Sequence, residues 1–244
     1  MEHNAYLDMA SVEEQHWWFE GRRRILSSCI ARLGLKPGAR ILELGSGTGG
    51  NLALLSGFGT VTAVEMNEAA REIAKARHAG ADVRAGMLPH DLPLAGEKFD
   101  LVCMFDVLEH IDDDAGALLA ARALLVPGGA MLITVPAYKA LFGPHDEELH
   151  HKRRYERAEL QATLLAAGFK IEKLSFINTA LLPLAWVMRL LDKLLHRAQP
   201  TGTALPPAPL NTVFTGIFGA EASFLPHLNL PFGLSLLAVA RVRD

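Results

Sequence analysis

From residue 39 onward the chain alternates two spacings of apolar residues. Arg40-Ile-Leu-Glu-Leu-Gly45, Thr60-Val-Thr-Ala-Val-Glu65 and Ala130-Met-Leu-Ile-Thr-Val135 are near-continuous apolar runs, the pattern of strands buried on both faces. Asp82-Val-Arg84 predicts a shorter strand, and Phe99 to Phe105 another. Between these runs lie helical stretches: one from a glycine-rich turn through Ser56, one from Glu68 to His78 stopped by Gly80, and one from Asp113 to Leu125 stopped by Pro127-Gly128-Gly129. Strand-helix alternation of this kind predicts an α/β fold, a doubly wound and mostly parallel sheet with helices on both faces.

Beyond Pro136 the rhythm changes. Glu156 to Ala167 predicts a helix with Gly168 as its stop, then Phe169 to Phe176 a strand. Ala180 to Ala198 reads as an amphipathic helix with Leu181, Leu184, Met188, Leu191 and Leu195 on one face. Asp192, Lys193, His196 and Arg197 gather toward its end. Gln199 to Leu210 holds four prolines and predicts a loop, Asn211 to Phe224 a short helix, and Leu234 to Val242 a closing strand. One domain is expected over 1–244: a helical lid (1–36), a core (37–179), an apolar helical insertion (180–230) and a final strand (231–244).

Composition narrows the function classes. A net charge of -3 over 244 residues gives no general affinity for nucleic acid, so no nucleic-acid partner is expected. The two cysteines, Cys29 and Cys103, form no disulfide framework or short metal-ligand spacing, which fits a reducing cytoplasm. No secretory leader is expected at Met1-Glu2-His3-Asn4, and no apolar run reaches the ~20 residues of a membrane span.

The first chemistry-bearing segment is Glu43-Leu-Gly45-Ser-Gly47-Thr-Gly49-Gly50, between a strand and a helix. Glycines there allow positive φ and close approach of backbone to a ligand. Gly45, Gly47 and Gly50 also satisfy the dinucleotide spacing G-x-G-x-x-G, and Glu65, about 20 positions on, suits any cofactor with ribose hydroxyls. The loop alone leaves a nicotinamide cofactor, an adenosyl cofactor and a bare tight turn open.

The neighbouring motifs separate these. Ile41-Leu-Glu-Leu-Gly-Ser-Gly-Thr-Gly49, Phe99-Asp100, Asp106-Val-Leu-Glu-His110 and Leu125-Val-Pro-Gly-Gly129 occur in order over residues 39–136. In these the chain resembles the class I S-adenosylmethionine-dependent methyltransferases of the small-molecule group. The resemblance implies a Rossmann-like seven-stranded sheet and S-adenosylmethionine as cofactor, released as S-adenosylhomocysteine. It places Gly45, Gly47 and Gly49 along the methionine and ribose near Glu43, Glu65 on the ribose hydroxyls, Met66 beside the adenine, and Asp106, Val107 and His110 at the end of strand four. Such proteins often carry an acid after the glycine that follows strand three. Here Gly86 is followed by Met87, which takes that cofactor position, with Asp91 a late substitute. Glu109-His110 reads equally as a helix cap. Asp112, Asp113 and Asp114 read as charges complementing a helix N-terminus.

Glu14-Gln-His-Trp-Trp-Phe-Glu-Gly-Arg-Arg-Arg24 joins aromatic and cationic residues. In a lid role Trp18 faces the cationic sulfonium and Arg22 the methionine carboxylate; otherwise the segment is a docked surface helix. Pro136 to Tyr155 starts at the carboxyl edge of strand five, the ligand side of an open α/β sheet, and resembles a methyltransferase subgroup with His-Asp, His and Arg-Arg-Tyr there. His145 first and His150 second are the candidate bases; Tyr138, Arg153, Arg154 and Tyr155 are candidate substrate contacts. A structural polar network is the bland reading, and no metal site is expected. The expected reaction is methyl transfer to an oxygen, nitrogen or carbon of a small or lipid-like metabolite, with the insertion as a lid and peripheral membrane contact through 180–225 second. A nucleotide-dependent oxidoreductase and a non-catalytic S-adenosylmethionine-binding protein are the alternatives.

Overall fold

The computed structural model describes residues 10–187 and 205–242. Seven strands form one sheet: β1 (Arg40–Leu44), β2 (Thr60–Glu65), β3 (Asp82–Ala85), β4 (Phe99–Phe105), β5 (Leu125–Pro136), β6 (Phe169–Ile177) and β7 (Ser235–Val242). Their order is β3-β2-β1-β4-β5-β7-β6. The first five run parallel, and β7 lies antiparallel between β5 and β6. The helices are α1 (Trp17–Ile30), α2 (Leu52–Ser56), α3 (Glu68–Arg77), α4 (Asp114–Ala123), α5 (Pro144–Glu148), α6 (Arg157–Ala166) and α7 (Ala208–Ala220).

Strand alternation sorts the core into two layers. Ile41, Ala63, Leu101, Cys103 and Leu132 face Ile25, Leu26, Leu52 and Leu55. Leu42, Leu44, Val102, Met104 and Ile133 face Leu118, Leu160 and Leu164 on the other side. Each fully buried leucine contributes on the order of 1.5–3 kcal/mol, which holds the near-continuous apolar strands between two helix layers. Local chemistry fixes the helix ends. Ala70 N–H donates to the Asn67 side chain at 3.0 Å at the start of α3. Gly116 N–H donates to Asp113 at 2.8 Å at the start of α4, and Gly168, at φ 83°, closes α6.

The chain runs from β1 outward to β3 and then crosses back to β4 on the other side of β1. The loops after β1 and β4 therefore part, and a crevice opens at the carboxyl ends of the strands.

Three boundaries differ from the sequence reading. Of the 36-residue lid, the long helix is α1 alone, with one helical turn at 10–12 before it. Pro127-Gly128-Gly129 ends a helix as expected, yet it lies within β5, opposite a register shift in β4. The proline-rich loop gives way to helix at Ala208 and not Asn211, because proline fits a first helical turn, whose N–H groups need no intrahelical partner. Residues 182–187 are helical as expected, whereas Met188, Leu191, Leu195 and the cationic end from Asp192 to Arg197 lie outside the described residues.

The insertion and the N-terminal helix meet each other. Trp18 stacks on Phe218, ring centroids 5.2 Å apart at 23°. Gly21 permits this approach, since a Cβ there would sit 2.5 Å from the Phe218 ring. Trp17 N–H donates to Asn211 Oδ1 at 2.9 Å, and Asn211 Nδ2 donates back to the Gln15 carbonyl at 2.8 Å.

Candidate active site

A cleft of about 1100 Å³ opens above the carboxyl ends of β1, β2, β4 and β5. Its first wall is the glycine loop. Glu65, at the end of β2, accepts from Gly47 N–H at 2.9 Å and from Asn67 N–H at 2.8 Å, which fixes its carboxylate in the cleft. Gly47, at φ 54°, has nothing within 4 Å of where a Cβ would project, so the loop leaves open space. Gly45 has the opposite reason for being glycine: a Cβ there would lie 2.6 Å from Val107. Met66 and Met87 stand exposed along this wall. Asp91 exchanges backbone hydrogen bonds with Met87 but does not line the cleft.

Two expected cofactor residues sit elsewhere. Gly49 packs against α3, a Cβ there meeting Ala74 at 3.1 Å. Glu43 lies beneath the loop, taking a hydrogen bond from Asn51 Nδ2 at 2.8 Å, and burial lifts its pKa to about 8. Both therefore shape the loop from behind; neither lines the cleft.

The roof comes from α1. Trp18 and Arg22 line the cleft, and Arg22 is ion-paired with Asp106, which stands at φ 55° after β4 and also accepts from Thr134 at 3.2 Å. The N-terminal segment is tied down by Glu13, a residue that no sequence motif singled out. Its carboxylate accepts from Thr48 Oγ1 of the glycine loop at 2.7 Å and pairs with Arg77 of α3. No local motif marks Glu13; its partners lie 35 and 64 positions away.

The far wall is the segment after β5. His145 and Arg154 line the cleft, with exposed His150 at its rim in a left-handed conformation, φ 58°. Asp146 is buried and organises this wall: it accepts from Gly143 N–H at 3.0 Å, from Arg154 Nε at 2.8 Å and from His151 Nδ1 at 2.9 Å. Burial works against its charge, yet the His151 and Arg154 contacts win and hold its pKa at about 2.

Three candidate substrate contacts do not reach the cleft. Tyr155 bridges Ala137 beside β5, and strand alternation turns Arg154 and Tyr155 to opposite sides. Tyr155 is consequently fully buried, its hydroxyl donating to Asp114 at 2.7 Å. Arg153 pairs with Asp114 at 3.0 Å and donates to the Asp112 carbonyl. Tyr138 stacks on Phe176 at 5.3 Å. These residues fix the segment; they do not face a substrate from the cleft.

Another grouping, where the motifs carried no expectation of a metal site, brings together residue types that can hold a metal ion. The turn Leu108–His110 and the 150–152 segment are tied by Lys152 N–H donating to the Glu109 carbonyl at 2.8 Å. One ligand atom each from Glu109, His110 and His151 then fall within 4.8 Å of one another. Burial raises the Glu109 carboxyl well above the usual range. Burial, with His151 adding to it, lowers His110 to about 4, so that imidazole is neutral near pH 7.

Residues 18–174 match the family model of a methyltransferase domain, and the chain belongs to that family. A protein of Mycolicibacterium smegmatis named as a probable S-adenosylmethionine-dependent methyltransferase is 31% identical over 66% of this chain and 62% of its own. The malonyl-[acyl-carrier protein] O-methyltransferase of Enterobacter lignolyticus is 29% identical over 64% of this chain and 65% of its own. The chain thus spans under two thirds of the length of these relatives. Among solved structures, the TehB-like methyltransferase of Corynebacterium glutamicum aligns at a TM-score of 0.56 with 16% identity, over 89% of this chain and 87% of that one. The [4+2]-cyclase SpnF aligns at 0.62 with 18% identity, over 98% of this chain and 92% of that one, so the fold alone does not specify methyl transfer.

The family's cofactor is S-adenosylmethionine, and the residues present fit it. A carboxylate held at the tip of β2 can accept two ribose hydroxyls, and the open space beside Gly47 admits a ligand against the backbone.

Proposed function

We propose that this chain transfers a methyl group from S-adenosylmethionine to an oxygen, nitrogen or carbon of a small or lipid-like metabolite, oxygen first. The observation that carries this is a single cleft with Glu65 and the glycine loop at one end and a histidine-bearing wall at the other. Bound at the first end, S-adenosylmethionine supplies a methyl group already activated by a positive sulfonium. Glu65 holds the ribose, Gly45 and Gly47 present backbone, and Met66 and Met87 flank the adenine. Trp18 and the Arg22–Asp106 pair close the roof and exclude water, so that alignment carries much of the barrier. At the other end, an imidazole nitrogen of His145 or His150 takes the proton that an acceptor hydroxyl loses as its oxygen bonds to the methyl carbon. Arg154 holds the wall beneath them through Asp146.

An amphipathic acceptor suits the walls. Leu181, Leu184, Ala185 and Phe214 from the insertion give one apolar side. Asn178, fully buried with neither side-chain amide atom hydrogen-bonded, adds a polar group at its edge. The Enterobacter relative, named for an O-methyl acceptor on a carrier, supports oxygen. The exposed Leu210, Val213 and Ile217 of α7 favour a membrane surface as the place where such an acceptor is met. Co-sedimentation with anionic vesicles checks this, and an unbound chain argues against it.

Calorimetric titration with S-adenosylmethionine, S-adenosylhomocysteine and NADH tests the reading. Micromolar binding of both adenosyl ligands is expected, with none of NADH. Glu65→Ala is expected to cost roughly 2–3 kcal/mol of that affinity, the worth of charged hydrogen bonds. Binding of NADH alone would transfer the glycine loop to an oxidoreductase.

A further inference from the structure

Glu109 is the least explained side chain of the cleft. It is fully buried, it lines the cleft, and neither carboxylate oxygen has a hydrogen-bond partner. An unpartnered buried carboxyl costs on the order of 1–3 kcal/mol, and nothing in the methyl-transfer geometry uses it. Its neighbours are two imidazoles: His110 beside it in the chain, and His151 delivered from the opposite wall.

We propose that Glu109, His110 and His151 form a binding site for a divalent cation of the zinc type. Three observations converge. The three ligand atoms lie within 4.8 Å of one another, so rotations of about an ångström bring them to the roughly 3.3 Å spacing that metal bonds of about 2.0–2.1 Å require. The two rings stand edge to face, centroids 4.7 Å apart at 81°, which lets both direct a nitrogen to one point. His151 is also prepared for ligation, because its Nδ1 donates to Asp146 and its other nitrogen is left to the metal. A carboxylate behind a histidine sets the tautomer and raises the basicity of the ligand.

The surroundings allow a positive ion. The nearby guanidiniums of Arg22 and Arg154 are each committed to a carboxylate, Asp106 and Asp146. Two nitrogens and one oxygen favour zinc, or cobalt in its place, over magnesium, which prefers oxygen throughout. Three protein ligands on one side leave open positions facing the cleft, as in metal sites that bind a reactant. On the methyl-transfer reading, an acceptor oxygen takes such a position, is oriented, and gives up its proton more readily.

The test uses the untagged full chain, stripped with chelator and titrated with Co2+ by visible absorption and with Zn2+ by calorimetry, without adenosyl ligand. Saturation at one equivalent is expected, with a rise in thermal midpoint. Glu109→Gln and His151→Ala should each weaken binding at least tenfold. Asp146→Asn, which would touch no metal, should weaken it about 10- to 100-fold. Glu109→Gln keeps shape and removes a buried acid, so its stripped form should melt no lower than the parent while losing the metal-induced rise. No saturable binding at millimolar Co2+, full binding in both Glu109→Gln and His151→Ala, or equal affinity for Mg2+ would each overturn the proposal. Cofactor binding is measured separately, so either reading can fail while the other stands.

Discussion

At neutral pH the carboxyl of Glu43 keeps its proton, because burial outweighs its hydrogen bond from Asn51. A folded pKa of about 8, raised above the ordinary value, means the folded chain holds a proton that the unfolded chain releases. That contribution to stability is complete below about pH 4.5 and is lost as pH rises toward 8. Glu43→Gln keeps the hydrogen bond to Asn51 within reach and removes the titration. Urea unfolding between pH 5 and 9 is therefore expected to show a flatter slope in the variant. An unchanged slope would mean that Glu43 does not carry it. Asp146 behaves oppositely, being ionised and surrounded by donors. Removing it in Asp146→Ala leaves Arg154, 5% exposed, without its carboxylate, and a loss of about 3–5 kcal/mol is expected in denaturant unfolding.

Among elements, α1 and α7 depend on each other although Asn211 is 194 positions from Trp17. Asn211→Ala removes its hydrogen bonds with Trp17 at the start of α1 and with Gln15 just ahead of it, and is expected to cost about 1–3 kcal/mol. Limited proteolysis ahead of α1 should accelerate, and tryptophan emission should shift to the red; unaltered emission would deny the coupling. This pairing was not legible in the sequence, where the N-terminal aromatics and the apolar insertion read as two separate appendages. The parallel core was legible, since strands buried on both faces announce themselves as continuous apolar runs. The glycine loop and its neighbour Glu65 were legible because the loop lies between a strand and a helix and the acid ends the next strand. The histidine wall was only half legible. The residue types in Pro136 to Tyr155 marked it, but facing directions depend on the Ala137–Tyr155 bridge, a contact across 18 positions that turned Tyr155 inward and brought His151 to Glu109.

The molecule as a whole is a sheet with its ligand edge roofed by segments from near both ends of the described chain. A ligand that binds only the folded state stabilises it by mass action, about 2.7 kcal/mol at 100 times Kd. For a chain of this size that corresponds to a rise in Tm of roughly 5–10 °C with S-adenosylhomocysteine. The roof should gain amide-exchange protection at the same time, because α1 contributes Trp18 and Arg22 to the cleft. A Tm increase with no added protection in α1 would show that the helix covers the cleft without sensing what fills it.

The position of β7 between β5 and β6 also matters before the protein is finished. On the ribosome, both neighbours emerge before the strand that joins them, since residues 178–234 must first be made. At roughly 5–20 residues per second that leaves about 3–11 s in which the nascent chain bears the unmatched edge of β5 and an unattached β6. Both are rich in apolar residues, so during this interval the nascent chain carries an unpaired strand edge open to association.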